Sequence, residues 1–370
     1  MLIVQKMNMR HILSSKYKKI TQKYLHQLLS QWKKISSIAY SKYSKTIHQA
    51  KKHRNRIVFT GIILIVVVAP TITSGVWWFI QTKQQSVARA ESIFHFGAIG
   101  DFEYGTRINV GNKLTSRTRG ELEKVISFYN DTYRPIFAIE LGDMIESSGL
   151  SPEKAKKQFR DINAVFQTVN ARREYVIGNH DLYSLSKAEV REILGLEDNH
   201  RFFDEGDWRF VIMDTNFDEE ADRGASHTAS GHVSQNEYTW LETAIKTDRP
   251  TIVFSHHPIS PGRKNTNNYQ EIRSLFERHP NVVLSISGHD PSFRFSEEDG
   301  VHYLVVDNLA NIDSLGSFAT LDTSYNPLTK EAHVVIEHYG PTRRTVEAKK
   351  VISTDRKWWV DALDRFELLP

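Results

Sequence analysis

Glu174–Asp181, EYVIGNHD, runs a short apolar stretch straight into glycine, asparagine, histidine and aspartate. Ile136–Asp143, IFAIELGD, has the same build and ends in Gly142-Asp143. Each reads as a buried strand stopped by a glycine that lets the chain turn sharply and present the next side chain at a sheet edge. Three more fragments repeat the pattern. Gly100-Asp101-Phe102-Glu103 follows the predicted strand Ile93–Ile99, Ser255-His256-His257-Pro258 closes Thr251–Ser255, and Gly288-His289-Asp290 follows Val282–Ile286. In open α/β sheets ligands collect beyond the carboxyl ends of the strands. The five polar clusters are therefore expected to meet in one place, with Asp143 at the hub. Carboxylates, one amide and imidazoles are a donor mix suited to borderline-hard divalent ions.

Further predicted strands cover Phe210–Asp214, His302–Val306 and Ala332–His338. Helical periodicity marks Ser116–Tyr129, Pro152–Val169, Lys187–Leu194, Ser234–Lys246 and Asn268–Arg278. Strands alternating with helices define the α/β class with largely buried sheets. Loops fall at Tyr104–Thr118, Glu146–Pro152 and Asp218–His232, and specificity is expected to reside in them.

The chain has 370 residues, of which 40% are hydrophobic, enough for one good-sized domain with appendages. Its net charge of +4 conceals two regions. Residues 1–56 hold 14 Lys and Arg and no Asp or Glu, so the rest of the chain is acidic. Between them Ile57–Ile80 is apolar, and no charge occurs from Ile57 to Thr82. Twenty-four helical residues reach about 36 Å, enough for a tilted bilayer crossing. Trp77 and Trp78 lie near the far end, as interfacial aromatics do. The positive-inside rule then puts residues 1–56 in the cytoplasm and everything past residue 82 outside it. An uncleaved signal anchor is expected, because the leader and apolar stretch are both too long for an ordinary cleaved peptide. Within 1–56, Leu13, Tyr17, Ile20, Tyr24, Leu28, Trp32 and Ile35 recur at helical steps among lysines. That basic amphipathic face suits the anionic inner leaflet, and no nucleic-acid partner is expected. Residues 81–91 form a linker, 92–340 the main domain and 341–370 an extension packing on it. The chain has no cysteine, which excludes disulfides, zinc–thiolate sites and thiol nucleophiles.

In this order the fragments resemble the calcineurin-like metallophosphoesterases, whose pattern is D-x-H, GD, GNH[DE], H and GHxH. The likeness spans roughly Ile93–Tyr339 and reaches Trp208–Thr215 and Val233–Leu241. It implies a four-layer α-β-β-α sandwich, here preceded by the amphipathic helix and the transmembrane helix. It also implies two divalent ions sharing Asp143. Asp101, Glu103 and Asp143 would hold the first; Asp143, Asn179, His256 and His289 the second. Asn179 and His257 would contact substrate, and His180, oriented by Asp181, would hold a phosphate oxygen or protonate the leaving group. Such ions neutralise phosphate oxygens and lower the pKa of water, so a phosphodiester, pyrophosphate or phosphomonoester could be hydrolysed without a covalent intermediate.

Two positions depart from the pattern. Glu103 stands where histidine is usual, and Asp101-Phe102-Glu103-Tyr104 is similar to the Asp-x-Gln-Tyr of the manganese-dependent ADP-ribose/CDP-alcohol pyrophosphatase branch. A carboxylate there favours Mn²⁺ or Mg²⁺ over Zn²⁺ in the first site; the pair of ions is expected to be Mn²⁺, with Fe or Zn²⁺ as the alternatives. Pro291 replaces the second histidine of GHxH and leaves the first site without a nitrogen ligand. The alternative is a degenerate domain that binds a phosphorylated small molecule or envelope component without catalysis. His200, His227, His232, His302, His333 and His338 are expected to be structural.

Overall fold

A computed structural model describes residues 94–352, except 108, 218–229 and 263. The basic region, the span at 57–80, the linker and Trp358 and Trp359 lie outside the described residues. Among those described, no helix is long and apolar enough to cross a membrane.

Two six-stranded mixed sheets form the domain. In chain order the elements are β1 (Phe94–Ile99), α1 (Thr118–Phe128), β2 (Phe137–Glu140), α2 (Pro152–Phe166), β3 (Arg172–Tyr175), α3 (Lys187–Leu194), β4 (Arg201–Glu205), β5 (Trp208–Ile212), α4 (Gln235–Ala244), β6 (Thr251–Ser255), α5 (Tyr269–Arg278), β7 (Val282–Ser287), β8 (Arg294–Glu298), β9 (Val301–Val305), β10 (Phe318–Asn326), β11 (Glu331–Tyr339) and β12 (Arg344–Val351). The first sheet runs β12-β11-β10-β1-β2-β3 and the second β4-β5-β6-β7-β9-β8. β1, β2 and β3 are parallel, as are β5, β6, β7 and β9. Their carboxyl ends therefore deliver the polar fragments.

Inward-facing aromatics fill the space between the sheets. Phe96 stacks on Phe137 with ring centres 4.7 Å apart and meets Phe210 and Phe254 edge-on. Such offset and edge contacts add to the area they bury. A second apolar cluster lies between the first sheet and α1, α2 and α3, with Leu122, Phe159 and Phe166 fully buried. A third, including Leu241, Leu275 and Phe276, lies between the second sheet and α4 and α5. These clusters give the four layers expected, α-β-β-α.

Predicted boundaries shift where burial does not dictate the strand. The run expected at Glu174–Ile177 begins two residues earlier, because β3 is an edge strand and starts on exposed Arg172 and Arg173. Edge strands β4, β8 and β12 lie outside the predicted strands; their charged residues hide the pattern while blunting an open sheet edge. β12 falls in the stretch expected as an extension and pairs with β11 through eight residue pairs.

β12 also turns a lysine inward. Lys350 Nζ donates to the Val282 carbonyl at 2.6 Å, and burial lowers its pKa to about 8. The unfolded chain then binds one more proton than the folded one between about pH 8 and the ordinary lysine value near 10.4, so stability rises with pH across that window. Relative to Lys350→Met, the wild type is expected to gain roughly 3 kcal/mol from pH 7.5 to 10.5. Chemical denaturation of both proteins at the two pH values measures it, and a constant difference would contradict it.

Candidate metal centre

Gly142 and Gly178 bring the β2 and β3 fragments together. Gly142 has φ 96°, and a Cβ on Gly178 would overlap the backbone nitrogen of Asp143. No other residue fits that approach. Asp143, Glu103 and His289 all have left-handed backbones, with φ of 61°, 44° and 66°. For residues with a side chain this is an uncommon and costly conformation. Here it turns all three into one buried space.

Four donors converge there. His256 Nε2 lies 3.3 Å from Asp143 Oδ2, 3.0 Å from Asn179 Oδ1 and 3.0 Å from His289 Nδ1. The other His256 nitrogen donates to the Leu141 carbonyl at 2.8 Å, which fixes the ring with Nε2 inward. At most one proton sits on Nε2, and one proton cannot serve three acceptors; a cation at the common point can. This donor set fits a divalent ion.

Beside it, Asp101, Glu103 and Asp143 bring carboxylate oxygens within 4.8 Å of one another. Asp101 Oδ2 and Glu103 Oε2 are buried without a hydrogen-bond partner. Burial pushes the Asp101 carboxyl up to about 8, with His256 opposing and Asp143 and Glu103 reinforcing. For Asp143 burial acts upward too, but His256 and His180 outweigh it and hold the carboxyl well below its usual range.

His257 is buried against Thr215 Oγ1 at 2.8 Å, and its ring centre is 4.4 Å from that of His289. Its Nε2 has no hydrogen-bond partner. Burial and the neighbouring imidazoles keep it neutral. His180 stands at the rim, its backbone N–H donating to Asp143 Oδ1 at 2.7 Å.

The expected partnership of His180 with Asp181 requires correction. Asp181 instead accepts backbone N–H groups from Gly178, Asp143 and Ile145 at 3.0–3.1 Å and so braces the two metal-side loops. Glu146 holds the His180 ring, with Oε2 at 2.9 Å from Nδ1. Burial lowers the affinity of His180 for its proton, but the Asp143 charge and the Glu146 bond prevail and raise its pKa. Lys113 completes the rim. Its ammonium pairs with Glu103, lies 3.2 Å from Glu146 Oε2 and 3.1 Å from His180 Nε2. Glu146 and Lys113 come from loops that the sequence marked only as candidates for specificity; the acidic residue three positions beyond Asp143 was the one local signal.

A cavity of about 390 Å³ opens over these groups, with Asn308, Asn311, Lys264 and Pro291 in its walls. That volume suits a small molecule. His200, His302, His333 and His338 engage Glu237, Lys349, Glu347 and Asp307 instead, as structural histidines do. His227 lies outside the described residues.

Residues 94–293, more than half the chain, match the family model of calcineurin-like phosphoesterases. The chain belongs to this family. It is accordingly a hydrolase of phosphate esters that binds divalent metal. A manganese-dependent ADP-ribose/CDP-alcohol diphosphatase of Arabidopsis thaliana is 22% identical over 270 residues, covering 58% of this chain and 86% of the relative. The human protein of the same name is 20% identical, covering 58% and 82%. A 3′,5′-cyclic-nucleotide phosphodiesterase of Nostoc is 22% identical over 173 residues, covering 45% of this chain and 61% of its own. Among solved structures, a dimetal phosphatase from Danio rerio superposes with a TM-score of 0.56 at 17% identity, covering 70% of this chain and 99% of that one; at that identity the likeness speaks to the fold.

Proposed function

We propose that this chain is a membrane-anchored, manganese-dependent phosphoesterase that cleaves a pyrophosphate or phosphodiester bond in a small phosphorylated molecule. The observation that carries this reading is the convergence of Asp143, Asn179, His256 and His289 on one point beside the Lys113–His180 rim. These four residues would hold a divalent ion, which would supply Lewis acidity toward a phosphate oxygen and toward water. The chain supplies the rest. Asn179 turns its amide oxygen toward His256 Nε2 and its amide nitrogen toward Tyr183, at 3.5 Å from the phenol oxygen. Lys113 attracts the anionic substrate. His180 keeps Nδ1 on Glu146 and presents Nε2 to the cavity, so it can pass a proton to the leaving oxygen as the bond breaks. The diphosphatase relatives favour Mn²⁺ and a nucleoside diphosphate derivative.

The anchor reading rests on the charge-free stretch 57–80 behind fourteen positive charges. It puts the domain outside the cytoplasm. Proteolysis of sealed right-side-out vesicles should digest the domain; full protection would reverse the orientation.

The decisive assay uses the full-length chain with Mn²⁺ against ADP-ribose, CDP-choline, bis(p-nitrophenyl) phosphate and p-nitrophenyl phosphate. Cleavage of a diphosphate or diester well above the monoester is expected. Ion binding with no turnover of any of them would leave only the non-catalytic binding domain.

A further inference from the structure

The altered half of the centre already contains a cation. Position 291, where the family pattern supplies a nitrogen ligand, is proline on the cavity wall. Glu103, the ligand that remains beside it, is ion-paired to Lys113. The same ammonium lies 3.2 Å from Glu146 Oε2 and 3.1 Å from His180 Nε2, so two carboxylates share its charge. Only 22% of the lysine side chain is exposed.

The backbone fixes this placement. Lys113 and Val110 exchange N–H···O bonds of 3.1 and 3.0 Å, and Leu114 N donates to the Ala310 carbonyl at 2.8 Å. Lys113 also forms an antiparallel bridge with Asn311, which lines the same cavity. The loop is thus laced to the segment after β9, and the lysine enters the site from a pinned backbone. A divalent ion drawn to Glu103 would stand close to this ammonium, and like charges at short range in a partly buried site repel strongly. The missing nitrogen removes the compensation.

We infer that the centre is built for one divalent ion, and that the Lys113 ammonium takes the electrostatic place of the first-site ion. The inference rests on the metal-dependent reading above. The retained ion sits on the Asp143, Asn179, His256 and His289 side, and Lys113 neutralises Glu103. Two substitutions should rebuild a two-ion centre. Lys113→Met frees Glu103, and Pro291→His returns the nitrogen, leaving the unpartnered Asp101 Oδ2 and Glu103 Oε2 as further ligands.

The test is Mn²⁺ loading of the metal-stripped full-length chain, with ions counted by elemental analysis after equilibrium dialysis and coupling read by electron paramagnetic resonance. The wild type is expected to hold one ion with an uncoupled spectrum. The Lys113→Met/Pro291→His variant is expected to hold two that are exchange-coupled. Two coupled ions in the wild type at micromolar Mn²⁺ would overturn the inference while leaving metal dependence intact. One ion in both proteins would overturn the role given to Lys113. No ion in the wild type would instead remove the metal-dependent reading itself.

Discussion

His180→Asn is expected to lower kcat roughly 10²- to 10⁴-fold on a phosphodiester with an alcohol leaving group, the range for a positioned proton donor, while KM changes little. The geometry makes the effect specific. The His180 backbone N–H, which binds Asp143 Oδ1 at 2.7 Å, survives the substitution, so the metal side keeps its support. What disappears is an imidazole held by Glu146 at 2.9 Å and raised in pKa by Asp143 and Glu146 against the effect of burial. A donor matters most when the leaving oxygen is basic. The loss should therefore shrink on bis(p-nitrophenyl) phosphate, whose leaving group departs without a proton. Equal losses on both substrates would assign His180 to binding or positioning. Glu146→Gln should follow the same pattern more weakly, because it leaves the ring in place and removes only the carboxylate behind it.

Asp143→Asn is the other large effect. Asp143 is fully enclosed and reaches both halves of the centre, touching His256 Nε2 at 3.3 Å through Oδ2 and the His180 amide through Oδ1. Removing one partner of a buried charge pair costs on the order of 3–5 kcal/mol. Mn²⁺ affinity should accordingly fall by roughly 10²- to 10³-fold or more, and turnover with it. Isothermal titration with Mn²⁺ measures the first quantity directly. The folded structure should survive, because the asparagine is isosteric and Asp181 still braces the Gly178, Asp143 and Ile145 amides. Unchanged affinity would exclude Asp143 as a ligand.

These residues were readable in the sequence because each follows a buried apolar run whose end is marked by a glycine or by the strand's own last residue. Burial on both faces leaves a continuous hydrophobic signal, and a sheet's carboxyl edge is a fixed address. The parallel strands β1, β2, β6 and β7, with the helices between them, emerged for the same reason. Lys113 and Glu146 did not. They reach the site from loops, and a lysine in Asn112–Thr115 looks like any solvated charge until β1, β2 and the segment after β9 are assembled around it. Asp181 was misassigned because sequence adjacency to His180 was taken for contact. Its carboxylate follows the backbone amides instead, while the longer-range Glu146 takes the ring. β10, FATLDTSYN, is a half-buried strand whose polar alternates diluted its apolar face.

The three left-handed residues set stability against the centre. Glycine at 103 or 289 would relieve backbone strain of about 1–2 kcal/mol, yet it would take a carboxylate or an imidazole out of the buried space. The chain holds glutamate, aspartate and histidine in the conformation that suits them least, so part of its folding free energy goes into aiming these side chains.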